Sequence, residues 1–259
     1  MIRELYLLFQ GEMKRSFILL RRYFFSTLVG ILFFYGIFMA IYLGARLTGG
    51  NIKGTIVGEW IVGYLAWFYI LSVLSMASEH IKEEATLGTL EQVYLNSRGL
   101  IRVLTVRTIA DLCRNTLTDI IPLSFLLILS TSYVFSAKAI LTALPIFILF
   151  LIGVYGLALI LSGAVLVFKR IGTLVTLFQI LFLGAAFAPL SKLPIRVGSI
   201  ISALPVMGSF DILKKAMTSG TVEYNTFTIL NPLMYLTIGI ICFNLLEKVA
   251  KNHGLLSHY

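Results

Sequence analysis

The 259-residue chain is 58% hydrophobic and 13% charged, whereas a soluble domain carries about 25% charged residues. It lacks the polar residues to cover the core it could bury, so lipid is its natural surround, and its length suits a single transmembrane domain over residues 1–259. The net charge of +9 flanks apolar runs, the pattern of Lys and Arg at a membrane face rather than of a nucleic-acid binder.

Residues 1–22 hold seven charges, unlike the uncharged core of a secretory signal, so the first span itself is expected to target the chain. Ile2, Leu5, Phe9, Met13, Phe17 and Leu20 recur at three- and four-residue steps, with Arg3, Glu4, Gln10, Lys14 and Arg21 largely off that stripe. This predicts an amphipathic helix in the membrane interface, either a topogenic anchor or a contact for a partner.

Six charge-free runs approach or exceed the ~20 residues a membrane helix needs: 23–45, 60–78, 120–137, 139–168, 171–191 and 224–246. The predicted fold class is an all-α membrane protein with six transmembrane helices. In the first run, Gly36, Ala40 and Gly44 form a strict four-residue stripe that admits close approach of another helix. Packing within the chain and packing across a dimer both fit it.

Residues 79–98, between the second and third runs, hold a third of the acidic residues: Glu79, Glu83, Glu84 and Glu91. Leu87, Leu90 and Tyr94 follow helical steps, so a short amphipathic docking helix is one reading and a solvated connection the other. At the start of the third helix, Arg107, Asp111 and Arg114 are spaced to pair on one face, or the arginines snorkel to the interface. Asp119 lies five residues further, about 7 Å deeper at the helical rise, and is expected to face protein or water rather than lipid, with substrate contact the narrower reading.

The fourth run exceeds one span, and Pro145 predicts a kink or a later helix start. In residues 189–220 the charge-free part, 197–210, is too short to cross and is broken by Pro205. Short re-entrant helices before the last span are predicted there. With both termini in the cytoplasm, that side holds fourteen Lys and Arg against seven outside, as the positive-inside rule requires of a multi-pass protein of the cell membrane. A seventh span would put the C-terminus outside.

Catalytic signatures are missing. The sequence has no G-x-x-x-x-G-K-[ST] phosphate loop, no G-x-S-x-G, no H-E-x-x-H and no C-x-x-C, so no catalytic residue and no metal site is predicted. Cys113 and Cys242 form neither a disulfide framework nor a metal spacing.

The run Glu84-Ala-Thr-Leu-Gly88-Thr89-Leu90-Glu91-Gln-Val resembles the E-x-x-x-G-T-L-E-x-L motif of ABC-2 type transporter permeases, the membrane subunits of ATP-driven exporters. The following Leu95-Asn-Ser-Arg-Gly-Leu departs from the family, which commonly has Pro-Ile or similar there. Pro189-Leu-Ser-Lys-Leu-Pro194, Leu204-Pro205 and Asp211-Ile-Leu-Lys214 are similar to a second pattern, F-P-L-x-x-L-P … N-P … D-x-x-R. The family's Asn is replaced here, and its Arg corresponds to Lys214 or Lys215. With the six runs and the N-terminal helix, the resemblance spans nearly the whole chain.

The resemblance implies two such subunits, identical or paralogous, around a central path, each seated on a cytosolic ABC ATPase that binds ATP and Mg²⁺. Residues 79–98 would be the coupling helix, with Glu79, Glu83, Glu84, Leu87, Gly88, Thr89, Leu90, Glu91 and Tyr94 at the ATPase interface. Pro189, Pro194 and Pro205 would lie at the outer mouth, with Asp119 on the path. The chain itself would bind no cofactor. Its cargo would be a drug, peptide, lipid or lipid-linked glycan. An ion-coupled transporter and a membrane-embedded lipid enzyme are the rival classes. The first wants interrupted spans and midplane charges, of which only Asp119 is a hint; the second wants an acid pair or metal constellation, which the runs lack.

Overall fold

An apolar chain in lipid must satisfy its backbone hydrogen bonds internally, and this one does so with helices. The computed structural model describes residues 2–48, 54–89, 92–93, 99–168, 171–188, 206–220 and 226–252, with no strand among them. The elements are α1 (Ile2–Arg22), α2 (Phe24–Leu47), α3 (Gly54–Thr86), α4 (Leu100–Asn115), a π turn (Thr116–Ile120), α5 (Ile121–Thr131), α6 (Ala137–Phe168), α7 (Gly172–Phe187), α8 (Met207–Ser219) and α9 (Thr226–Asn252).

Among the described residues, five helices are long and apolar enough to cross a membrane: α2, α3, the continuous α4–α5 unit, α6 and α9 from Ile229 onward. The chain is a multi-pass membrane protein on that basis. Of the six predicted runs, the fifth corresponds to α7, a 16-residue apolar helix shorter than the others. Large apolar side chains cover the outside, including Phe25, Phe33, Leu129, Leu141 and Leu177. The outer surface is suited to lipid rather than water.

Several predicted limits need correction. Helix α3 does not stop near residue 78 but runs to Thr86, because the polar side chains of its last turns find partners on α1 and α4. The third helix starts at Leu100, so Arg107, Asp111 and Arg114 fall in its first turns as expected, but it ends at Thr131, short of the run's end at residue 137, where Ser132 turns left-handed (φ 55°). Helix α6 does not begin after Pro145; it runs through that residue from Ala137.

The π turn has a local cause. Pro122 cannot donate a hydrogen bond, and its ring presses on the carbonyl four residues back, Thr118. The backbone takes a wider ring instead: the amide of Ile121 donates to Thr116 O, five residues back. Asp119 sits half-buried on this turn, with Arg114 and Thr118 as its electrostatic and hydrogen-bonding neighbours.

Contacts fix the relative helix directions. Helices α2 and α3 are antiparallel: Phe38 packs on Tyr64, Phe34 packs on Phe68, and Tyr64 donates to Phe34 O at 2.8 Å. Helices α3 and α7 are also antiparallel, since Trp60 meets Phe187 while Ser75 meets Gln179. Helices α6 and α9 run parallel, with Gly153 against Pro232, Gly156 against Tyr235 and Gly163 against Phe243.

That α6–α9 seam is closed by missing side chains. A Cβ on Gly156 would lie 2.5 Å from Tyr235 O, and one on Gly239 would lie 2.3 Å from Gly156 O. Lipid tails give apolar helices no hydrophobic reason to associate, so small residues that let backbones touch carry the packing. Between α3 and α7 the same device recurs at Gly63, whose Cβ would meet Ala186 O at 2.5 Å.

Helix α8 is tied down from the end of α7. The buried Lys214 ammonium donates to the carbonyls of Ala185, Ala186 and Ala188 at 3.2–3.3 Å and lies over the Phe210 ring. A cation at a helix C-terminus satisfies carbonyls that have no partner within the helix. Burial holds this ammonium's pKa below its usual value, against the pull of Asp211 and Glu59. Lys215 is exposed and pairs instead with Asp211 at 2.8 Å.

Candidate functional site

The sequence places its densest polar signal at the end of α3, and the structure builds a corner there from three elements. Glu12 and Ser16 lie four apart on α1, and Arg107 and Asp111 lie four apart on α4. Two parallel helices can therefore join both pairs in one register. Arg107 Nε donates to Glu12 at 3.0 Å, and Ser16 donates to Asp111 at 3.4 Å, both pairs 95 residues apart in sequence. The register continues above the corner, where Tyr35 of α2 meets Ser130 of α5, again 95 apart.

Arg107 is the hub. Its second arm donates to Glu84 Oε1 at 2.6 Å, and the guanidinium is only 14% exposed. Glu84 accepts from Thr89 through its other carboxylate oxygen. Beside this clamp His80 Nε2 lies 2.7 Å from Asp111 Oδ2, and Arg114 reaches Asp111 at 3.6 Å. Planar guanidinium forks suit such two-carboxylate bridging, since Nε and Nη1 each face one carboxylate.

The end of α3 explains three motif residues together. Thr89 N donates to Glu84 O, and Gly88 N donates to Ala85 O. This is the paired closure of a Schellman cap, which needs a left-handed residue. Gly88 supplies it at φ 69°. The E-x-x-x-G-T spacing thus reads locally as a helix stop.

Several predicted residues fall differently from expectation. Glu79, His80, Glu83 and Glu84 belong to the last turns of α3, not to a separate helix over 79–98. Leu87 lies in the capping turn of α3 rather than on a continuing helix. Leu90, Glu91 and Tyr94 lie outside the described residues, as do Pro189, Pro194 and Pro205. Glu84 is drawn inward by Arg107, which leaves Glu79, Glu83 and Leu87 exposed. Leu87 is 74% exposed. Glu83 keeps one loose partner, Arg15 at 3.8 Å.

The pairing of Arg107 with Asp111 does not form, and Arg107 does not snorkel; Glu12 and Glu84 take it instead. On α1, Phe9, Met13 and Leu20 are half-buried with the fully buried Ser16, while Phe17 is exposed. The predicted stripe is therefore off by one position at Phe17. Gly36, Ala40 and Gly44 all face outward, and a Cβ on either glycine meets nothing within 4 Å. Packing of this stripe within the chain is excluded among the described residues.

Compared with known proteins, the chain matches no family model and no curated protein. Its chemistry therefore rests on its own residues. Among those described, no group of three His, Cys, Asp or Glu side chains could hold a metal ion.

Two apolar cavities lie away from the corner. The larger, 830 Å³, is bounded by α4, the π turn, α6 and α9. The smaller, 370 Å³, is bounded by α3, α5, α6 and α8. Tyr69 and Phe147 line both and meet edge-on at 4.9 Å. Sequence reasoning missed these cavities, because their walls come from helices distant in sequence and carry no motif.

Proposed function

We propose that the chain is the permease subunit of an ABC-2 type exporter, driven by a separate cytosolic ATPase. In this reading six helices cross the cell membrane, α7 being the fifth, and both termini are cytoplasmic. Residues 189–220 re-enter the outer leaflet without crossing. The parallel course of α6 and α9 supports this count, because two parallel spans flank an odd number of crossings, here α7 alone. The distribution of Lys and Arg supports the orientation.

The observation that carries the reading is the corner at Glu84. Of the residues resembling the family's docking motif, Glu84, Leu87, Gly88 and Thr89 lie at a capped turn that a half-buried ion-pair clamp ties to α1 and α4. The turn holds Leu87 outward beside Glu83. An exposed apolar side chain with an acidic neighbour on a braced corner is suited to seating a partner. A push on that turn would pass through Arg107 to both α1 and α4, and so to the first and third spans. ATP and Mg²⁺ would act on the partner, and this chain would break no bond. A second copy, or a paralogue, would complete the path, with the outward stripe Gly36, Ala40 and Gly44 free to meet it. The cargo would be hydrophobic or amphipathic.

Co-purification of a phosphate-loop ATPase with the chain, together with ATP hydrolysis by the complex, tests the reading. Leu87→Asp should release the ATPase while the chain stays folded. If the parent chain retains no ATPase, or if Leu87→Asp retains one with unchanged coupled hydrolysis, the docking corner is wrong.

A further inference from the structure

The 830 Å³ cavity has two distinct ends, each marked by a pair of hydroxyls. At one end Tyr155 of α6 meets Thr105 of α4 at 2.7 Å. At the other, Tyr69 meets Thr116 at 3.1 Å and packs edge-on against Phe147. Between these ends the lining residues of α6 run from Phe147 to Leu159, about 18 Å at the helical rise. One leaflet's hydrocarbon is about 15 Å deep, half of the ~30 Å core. The wall is open to the surround, since Ile109, Leu117 and Ile148 line the cavity and are each about half exposed. Among the described residues no charged side chain lines it. In a bilayer such a trough admits hydrocarbon but not a headgroup, whose charge would find no partner inside.

A charge stands at the Thr105–Tyr155 end instead. Arg102 follows the lining residue Ile101, and it precedes the lining residues Ile109 and Cys113 by seven and eleven residues. Those steps are close to two and three helical turns, so Arg102 lies on the cavity's face of α4. Its side chain is exposed. Arg107 and Arg114 of the same helix have carboxylate partners, whereas Arg102 has none among the described residues. A guanidinium fork at the mouth of a leaflet-deep apolar trough matches a phosphate joined to a hydrocarbon chain. We propose that the cavity holds one chain of a phospholipid, with the phosphate at Arg102 and the chain end at the Tyr69–Phe147 pair. The inference goes beyond the permease reading and does not depend on it, since it needs only that α4 and α6 lie in a bilayer.

The molecule carries its own reporter. Cys113 lines the cavity and is exposed, and Cys242 is the only other cysteine. In a Cys242→Ala background the full chain, delipidated in detergent micelles, is alkylated with N-ethylmaleimide in the presence of phosphatidylglycerol, of diacylglycerol with the same chains, or of glycerol phosphate. Phosphatidylglycerol should protect Cys113 at about tenfold lower mole fraction than diacylglycerol, as one charge-assisted hydrogen bond allows. Glycerol phosphate, which has no chain, should not protect. Arg102→Gln should bring phosphatidylglycerol to the diacylglycerol level and leave diacylglycerol unchanged. Ile148→Trp, at a half-exposed lining position, should weaken both lipids several-fold; thermal unfolding checks that each variant is folded. Equal protection by the two lipids, an advantage that survives Arg102→Gln, or protection unmoved by Ile148→Trp would each overturn the proposal. So would protection by glycerol phosphate alone, or a Cys113 shielded without lipid by a second copy of the chain.

Discussion

The α6–α9 seam and the corner of α1, α3 and α4 join helices by opposite means. At the seam, backbones touch because Gly156 and Gly239 have no side chains. At the corner, side chains make the join, with Arg107 reaching both Glu12 and Glu84. The seam has no charge to lose and no room to gain. The corner depends on three charged side chains being present together. Deep in an apolar slab, contact without polar groups is the economical join, whereas at a slab's edge a fork of charges can be partly hydrated and still orient three helices.

The difference can be broken from either side. Gly239→Val should have the largest effect, because its Cβ would meet the α6 backbone rather than a movable side chain. A loss of about 3 kcal/mol or more is expected from such overpacking, read as unfolding of the purified chain in detergent. An unchanged midpoint would mean the seam is looser than described. Lys214→Met should follow, since three carbonyls at the end of α7 lose their donor; about 1–3 kcal/mol is expected, with hydrogen exchange rising first in α7 and α8.

Arg107→Gln should cost about 1–3 kcal/mol, because Glu84 is left with Thr89 alone and Glu12 with a 3.8 Å contact to Arg15. The paired variant Glu84→Gln in the same chain should restore part of the loss. Failure of that rescue would detach Glu84 from the clamp. Gly88→Ala should cost only about 1–2 kcal/mol, the strain of a left-handed alanine, and its effect should stay local to the end of α3. Gly36→Ala, on an outward face, should change unfolding of the single chain by less than about 0.5 kcal/mol. A large loss there would mean that α2 is covered after all.

Much of the helical order was legible because apolar runs bounded by charge are unambiguous at this length. Their ends were not, for physical reasons that differ by site. A run of uncharged residues marks where a helix must be dry, not where it stops; His80 and Glu84 carry α3 onward because Asp111 and Arg107 meet them. The stop itself was written in Gly88, within a stretch whose acidic residues drew attention to docking. Asp119 stands out in the sequence, yet the π turn beneath it follows from Pro122, three residues on. The Arg107 clamp is half visible in the sequence: the four-residue spacing of Arg107 and Asp111 can be read, but its match to Glu12 and Ser16 cannot. Partners 95 residues away leave no local periodicity to read. The cavity hydroxyls were invisible for the same reason.

The shared 95-residue register has a consequence for biogenesis. When α1 and α2 leave the ribosome, the helices they will lie against do not yet exist. At about 5–20 residues per second, roughly 5–20 seconds pass before Arg107 follows Glu12 into being. For the first part of that interval, until α3 follows, the first span stands in the bilayer without the helix it packs against, and Glu12 and Ser16 lack Arg107 and Asp111 throughout. A chain arrested before residue 107 should therefore leave α1 accessible to protease, and one released beyond residue 131 should shield it.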